Sequence, residues 1–267
     1  MKLIAFLVAA ALGGCSSGTT GSGLVTFSAR AGGPADATSG APLEFDTGSG
    51  YHVSLTMARF HLGAVYLNMT VPSSGGPEEP CLLPGIYVGQ ALGGCQASGV
   101  CGLDLDLLSA SLSPFTIPGQ GTVNHAVEAD VWLTSGDINA ASDPVPVLQA
   151  AGTATRNSAR WPFTATVTVG ANRAVPVQNP AMPGANPICR QRIASLIPID
   201  FTLQNGGTLD VRVDPRGMFN GVDFASLAPG GSATTIAIPD QPGGAGGALF
   251  KGVLANAGVY QFTWTNP

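Results

Sequence analysis

The sequence predicts an all-β protein, an antiparallel β-sandwich of about eight to ten short strands separated by long Gly/Pro-rich loops. Three observations lead there. Apolar and polar residues alternate with period two in several stretches, as half-buried strands require. With 37 glycines and 21 prolines among 267 residues the chain is punctuated by turns, yet 45% apolar residues remain to build a core. Helix signals are sparse: "GVDFASLAPGG" predicts one short turn ended by Pro and Gly, "DLDLLSASL" predicts another, and "GGAGG" at 243–247 reads as a flexible loop.

The N-terminus comes first in the chain and stands apart from the rest. Met1-Lys2 is a short positive segment, and Leu3 to Leu12 is an apolar run too short to span a bilayer core of about 30 Å. It ends on Leu12-Gly13-Gly14-Cys15. This stretch resembles the lipobox of bacterial lipoproteins, with Leu at −3, small residues at −2 and −1, and Cys at +1. The resemblance covers about fifteen residues. It implies cleavage before Cys15, a diacylglycerol thioether on the Cys15 thiol, acylation of the new amino group, and hence attachment to the membrane through lipid. Two or three acyl chains anchor stably where one would not. Ser16 after the cysteine implies, by enterobacterial-type sorting, delivery to the outer membrane. The chain is then organised as a signal peptide (1–14), a lipidated Cys15 with a Gly/Ser/Thr tether (15–23), and a single β-sandwich domain (24–267).

Setting Cys15 aside leaves Cys81, Cys95, Cys101 and Cys189, an even number in an exported chain, which reads as two disulfides. Three pairings are open; Cys95 with Cys101 across "QASGV" and Cys81 with Cys189 is preferred. The gaps between these cysteines do not have the two-to-four-residue spacing of zinc knuckles.

The strand candidates follow in order: "LVTFSAR", then "VSLTMARFHLGAVYLN", whose alternation changes phase and predicts a bulge near Ala58-Arg59. In "TVNHAVEADVWL", Val123, His125, Val127, Ala129, Val131 and Leu133 share one face, and Asn124, Glu128, Asp130 and Trp132 share the other. "WPFTATVTV" alternates cleanly. "IPIDFTLQNGGTLDVRVD" predicts a hairpin turning on Asn205-Gly206-Gly207. "TTIAIP" and the terminal "VYQFTWT" complete the set.

Chemistry is thinly signalled. A net charge of −5 leaves no basic footprint for nucleic acid. Extended backbone puts His52 and His61 about 30 Å apart, both facing away from the core, so they cannot share an ion. His125 lies on the apolar face of its strand and is expected as a hydrogen-bonded core histidine. It is also the weak candidate for a metal ligand. No cofactor is predicted. Copper would need a His/Met set, and calcium would need Asp104 with Asp106, or Asp210, Asp214 and Asp223. There is no G-x-S-x-G, no H-E-x-x-H and no phosphate loop, so no catalytic residue is named.

The expected function is therefore non-catalytic: an anchored envelope lipoprotein binding a small ligand, a metal or a partner protein such as an envelope transporter. A structural or surface-adhesion module presenting an aromatic patch with Trp132 or Trp264 is the alternative, and a hydrolase built around a histidine is the second. Two measurements check the N-terminal and cysteine readings. Cys15→Ser is expected to move the protein from the membrane to the soluble fraction. Mass spectrometry of the unreduced chain is expected to find no free thiol among Cys81, Cys95, Cys101 and Cys189.

Overall fold

The computed structural model describes residues 23–71, 86–94, 102–134, 143–169 and 192–267; all five cysteines, Cys15, Cys81, Cys95, Cys101 and Cys189, lie outside them, as does Met182. The fold is all-β. Among the described residues the order is β1 (Leu24–Gly32), β2 (Leu43–Asp46), β3 (His52–Leu62), β4 (Ala64–Asn68), β5 (Tyr87–Leu92), β6 (Leu103–Asp106), β7 (Ser113–Pro114), β8 (Gly119–Thr122), β9 (His125–Trp132), β10 (Asp143–Arg156), β11 (Ala159–Val169), β12 (Ile193–Thr202), β13 (Thr208–Val213), β14 (Ile236–Ile238) and β15 (Tyr260–Thr265). A short helix α1 (Pro215–Met218) follows β13, and α2 (Gly244–Val253) follows β14.

Two sheets enclose one contiguous apolar core. The larger has the order β12-β9-β4-β5-β8-β1-β13-β15, with β7 also paired to β1; the smaller runs β14-β11-β10-β3-β2, with β6 paired to β3. The chain passes between them at Gly63, where β3 leaves one sheet and β4 enters the other. The Gly63 amide donates to the Trp132 carbonyl. Two strand pairs are parallel, β1 with β13 and β11 with β14, so the sheets are mixed rather than purely antiparallel.

Alternation translates into burial where it was clearest: Trp161, Phe163, Ala165, Val167 and Val169 of β11 all point inward. In β3 the inward set runs Val53, Leu55, then Ala58, Phe60, Leu62. The phase change is real, but the register slips at Thr56-Met57, slightly before the expected Ala58-Arg59.

The predicted hairpin does not form. Asn205-Gly206-Gly207 is a turn, with Gly206 at φ +82°, but β12 pairs with β9 while β13 pairs with β1 and β15. The turn is instead laced to β1. Gly206 N–H donates to the Thr26 carbonyl, Thr26 N–H to Asn205 Oδ1, and Ser28 N–H to the Gly207 carbonyl. Residues 203–207 thus join the β12 edge of the large sheet to β13, the strand beside β15 at its opposite edge, a link that reaches at most roughly 20 Å. The sheet must curl until its ends nearly meet. Phe201 of β12 and Trp264 of β15 stack across that seam, centroids 5.5 Å apart and planes at 10°, with Phe27 edge-on to Trp264 at 5.2 Å.

"GGAGG" is not a loop but the first turns of α2. Glycine costs a helix about 1 kcal/mol per residue, and contact explains its presence: a Cβ on Gly246 would lie 1.8 Å from the Pro239 carbonyl oxygen. The helix buries Leu249, Phe250 and Val253. "DLDLLSASL" begins as strand β6 and then makes a short turn at Leu107-Leu108, closed by the Ser109 N–H on the Asp106 carbonyl; "GVDFASLAPGG" holds the other short turn expected, a 3-10 segment Phe224–Ser226 whose Ala225 N–H is capped by Asp223.

The seam is testable at Gly207, where a Cβ would fall 2.2 Å from Trp264. Gly207→Val is expected to cost about 2 kcal/mol in urea unfolding by displacing the indole from its stack, whereas Gly23→Val, in open space, is expected to change little.

Candidate functional site

β4 and β9 are adjacent, and their outward faces carry polar and aromatic residues in register: Ala64 opposite Trp132, Tyr66 opposite Asp130, Asn68 opposite Glu128. These are the Glu128, Asp130 and Trp132 positions that alternation assigned to the face away from the core. They are nonetheless buried, Glu128 at 1% and Asp130 at 8% exposure. Buried carboxylates must be hydrogen-bonded or neutralised. Asn68 Nδ2 donates to Glu128 Oε2 at 2.7 Å and to Asp130 Oδ2 at 3.3 Å. Glu128 Oε1 accepts the Leu196 amide at 2.9 Å. Asp130 Oδ1 is buried without a hydrogen-bond partner. Burial, reinforced by the adjacent Glu128 charge, pushes Asp130 up to about 7, against a smaller lowering by Asn68.

The amide that serves Glu128 belongs to a strained residue. Leu196 lies in the β12 irregularity between Ala194 and Ile197, at φ +59°, a left-handed conformation costing a side-chain-bearing residue about 1–2 kcal/mol. The hydrogen bond to a carboxylate offsets part of that cost. The aromatic components are Tyr66, Trp132 and Tyr87: the Tyr66 ring centroid lies 5.6 Å from Trp132 and 5.9 Å from Tyr87. Ala64, Trp132 and Ile193, with Tyr66 and Leu92 against them, form an apolar cluster separate from the main core. Burial and the neighbouring Tyr66 push the Tyr87 phenol up to about 12, so it remains a donor at neutral pH. Met69, Ile86, Tyr87 and Leu196 are exposed.

Elsewhere the structure separates the residues the sequence singled out. His125 is not a core histidine: its side chain is 52% exposed, Nδ1 lies 3.3 Å from Thr202 Oγ1 and Nε2 3.2 Å from Asp200. Inward parity reverses along β9: Ala126 is in the core and so is Ala129, three residues on, which leaves His125 at the strand start facing out. His125, Asp200 and Thr202 have the composition of a catalytic triad, but Asp200 is 89% exposed. In open water such a group gains neither the desolvation nor the fixed oxyanion donors that hydrolysis depends on.

His52 is exposed, bridging Asp46 and Glu44 at 2.9 and 3.1 Å. His61 points away from the main core, as expected, but is buried against Asp104 at 2.8 Å. Of the remaining aspartates of the calcium reading, Asp210 pairs with Arg30, Asp214 with Arg216 and Asp223 with Tyr51, while Asp106 accepts the Leu108 amide through one oxygen. Met218 is buried, and among the described residues no three His, Cys, Asp or Glu side chains group closely enough to hold an ion. Trp264 belongs to the seam rather than to a surface patch.

No family model, no curated protein and no solved structure matches the chain.

The carboxyl pair makes a pH prediction. Asp130 has a folded-state value above its unfolded one, so its contribution to stability is fully present below about pH 4 and is lost as pH rises through about 7. Asp130→Asn is expected to remove this dependence, so that urea midpoints of wild type and variant diverge in the variant's favour between pH 5 and 8.

Proposed function

We propose that this protein is a lipid-anchored, non-catalytic lipoprotein of the bacterial envelope whose β-domain binds a ligand bearing a protonated amine at the Glu128–Asp130 face. Cys15 in Leu12-Gly13-Gly14-Cys15 supports the anchor. The observation that carries the binding reading is the Asp130 carboxyl, buried beside Glu128 with Oδ1 unpartnered and with Tyr66 directly across the strand.

A buried acceptor lacking a donor costs about 1–3 kcal/mol. A ligand ammonium would supply the donor and compensate the paired charge. Leu196 adds a pre-formed kink that holds Glu128 in place. Exposed Met69, Ile86 and Tyr87 offer apolar surface for the body of such a ligand. Because a bound cation favours the ionised carboxyl, binding and proton release are coupled, and affinity rises as pH passes upward through about 7.

The same exposed apolar side chains, with Val71, favour a second reading in which the face docks a partner protein at the cell surface. The two readings separate on small amines. Titration of the full-length protein with phenethylamine, followed by tryptophan fluorescence, is expected to saturate in the wild type and to weaken at least about tenfold in Asp130→Asn. An absence of saturation at pH 8 would exclude the amine reading and leave the docking one.

A further inference from the structure

A recess lies on the smaller sheet. It measures about 470 Å³ and is lined by Ala41 and Pro42, by Met57 and Arg59 of β3, and by Asp106 and Leu108 at the end of β6. That volume falls in the range of small-molecule sites. The β3 register slip at Thr56-Met57 opens onto it. A bulge at this point bends the strand and re-aims its side chains, a device common beside binding sites.

The informative feature is a pair of opposite charges that do not meet. On one face of the β3–β6 ladder, His61 stands opposite Asp104 and Arg59 stands opposite Asp106. The first rung closes, with Nδ1 of His61 2.8 Å from Asp104. The second does not, although arginine is the longer side chain. Asp106 instead accepts the Leu108 amide through Oδ1 at 3.0 Å. The contrast extends to the other described arginines with exposed or part-buried side chains: Arg30 binds Asp210, Arg156 lies over the Tyr51 ring, Arg160 reaches Thr153, Arg212 donates to the Gly33 carbonyl, and Arg216 holds both Asp36 and Asp214. Arg59 thus presents a guanidinium fork and Asp106 a spare carboxylate oxygen to the same recess, with Met57, Pro42 and Leu108 supplying apolar wall.

We infer that this recess binds a small zwitterion, a free α-amino acid with an apolar side chain, its carboxylate on the Arg59 guanidinium and its ammonium on Asp106. The guanidinium matches a carboxylate with two parallel N–H donors. One ligand carrying both charges completes a rung that the protein leaves open, and neither a simple anion nor a simple cation does so. The site is on the smaller sheet and does not rest on the Glu128–Asp130 reading.

The test is calorimetric titration of the full-length protein in detergent micelles with L-leucine. Saturable binding is expected, at least about tenfold weaker for leucinamide, which lacks the carboxylate, and for 4-methylpentanoate, which lacks the ammonium. Arg59→Gln and Asp106→Asn are each expected to weaken L-leucine binding by a similar factor. Asn at 106 retains an acceptor for the Leu108 amide, and both variants should keep the wild-type unfolding midpoint. Because L-leucine and leucinamide also carry an ammonium, each titration is repeated in Asp130→Asn, where the amine site is disabled, and the same order of affinities is expected there, which separates the two sites. No saturation by L-leucine up to about 10 mM, binding of either half-ligand as tight as that of L-leucine, or full binding by Arg59→Gln would each overturn the proposal.

Discussion

The structure depends on one link: residues 203–207 connect the β12 edge of the larger sheet to β13, next to the opposite edge strand β15. A chain that short leaves the sheet no freedom to lie open, so eight consecutive strands curl until β12 and β15 lie against each other. What holds the seam is packing rather than a hydrogen-bond ladder. Phe201 stacks on Trp264, Phe27 meets the same indole edge-on, and the turn itself is pinned to β1 by four hydrogen bonds involving Gly206, Gly207 and Asn205. Aromatic pairs of this kind contribute about 0.5–1.5 kcal/mol each beyond the area they bury. Gly207 lies against the indole because it has no Cβ to prevent it.

The outer face of the larger sheet is not simply solvated. Inward residues such as Val65, Leu67, Ala129 and Val131 fill the core, and the alternate positions of the same strands, Tyr66, Asn68, Glu128 and Asp130, are carried together on the other face. In a flat solvated sheet these would be ordinary surface residues. Here they are buried, so their electrostatics change character: Asn68 is shared between two carboxyls, Leu196 adopts a strained backbone to donate its amide, and Asp130 is left with an unsatisfied oxygen. Such local cost is tolerated because the surrounding ladder over-determines it. The smaller sheet shows the opposite pattern at Arg59 and Asp106, where two charges remain open to solvent and unpaired with each other.

Much of the fold was legible in the chain. β11 could be read residue by residue because nothing interrupts its period of two, and β15, β14 and β1 stand where "VYQFTWT", "TTIAIP" and "LVTFSAR" placed them. Helix α2 was not legible. Its glycines argue for a loop on propensity, and the close approach to Pro239 that requires them is a tertiary fact. The hairpin failed for a related reason: alternation and an Asn-Gly-Gly turn specify two strands and a reversal, but say nothing about which neighbours those strands choose. Half of the candidate site was visible, since Glu128, Asp130 and Trp132 fall on one face by simple parity. Asn68 and Tyr66 were not, because they come from a strand about sixty residues away.

By itself the sequence determined the all-β class, most strand positions and their inward faces, and the Leu12-Gly13-Gly14-Cys15 resemblance that leads to the proposed anchor; these are local properties, written in periods of two and in short motifs. Tertiary structure decided the pairing order, the near-closure of the larger sheet, the exposure of His125, and the burial of Asp130 beside Glu128. Each of these depends on contacts between residues far apart in the chain. A carboxylate's ionisation is set by what removes water from it, and no run of neighbouring residues records that.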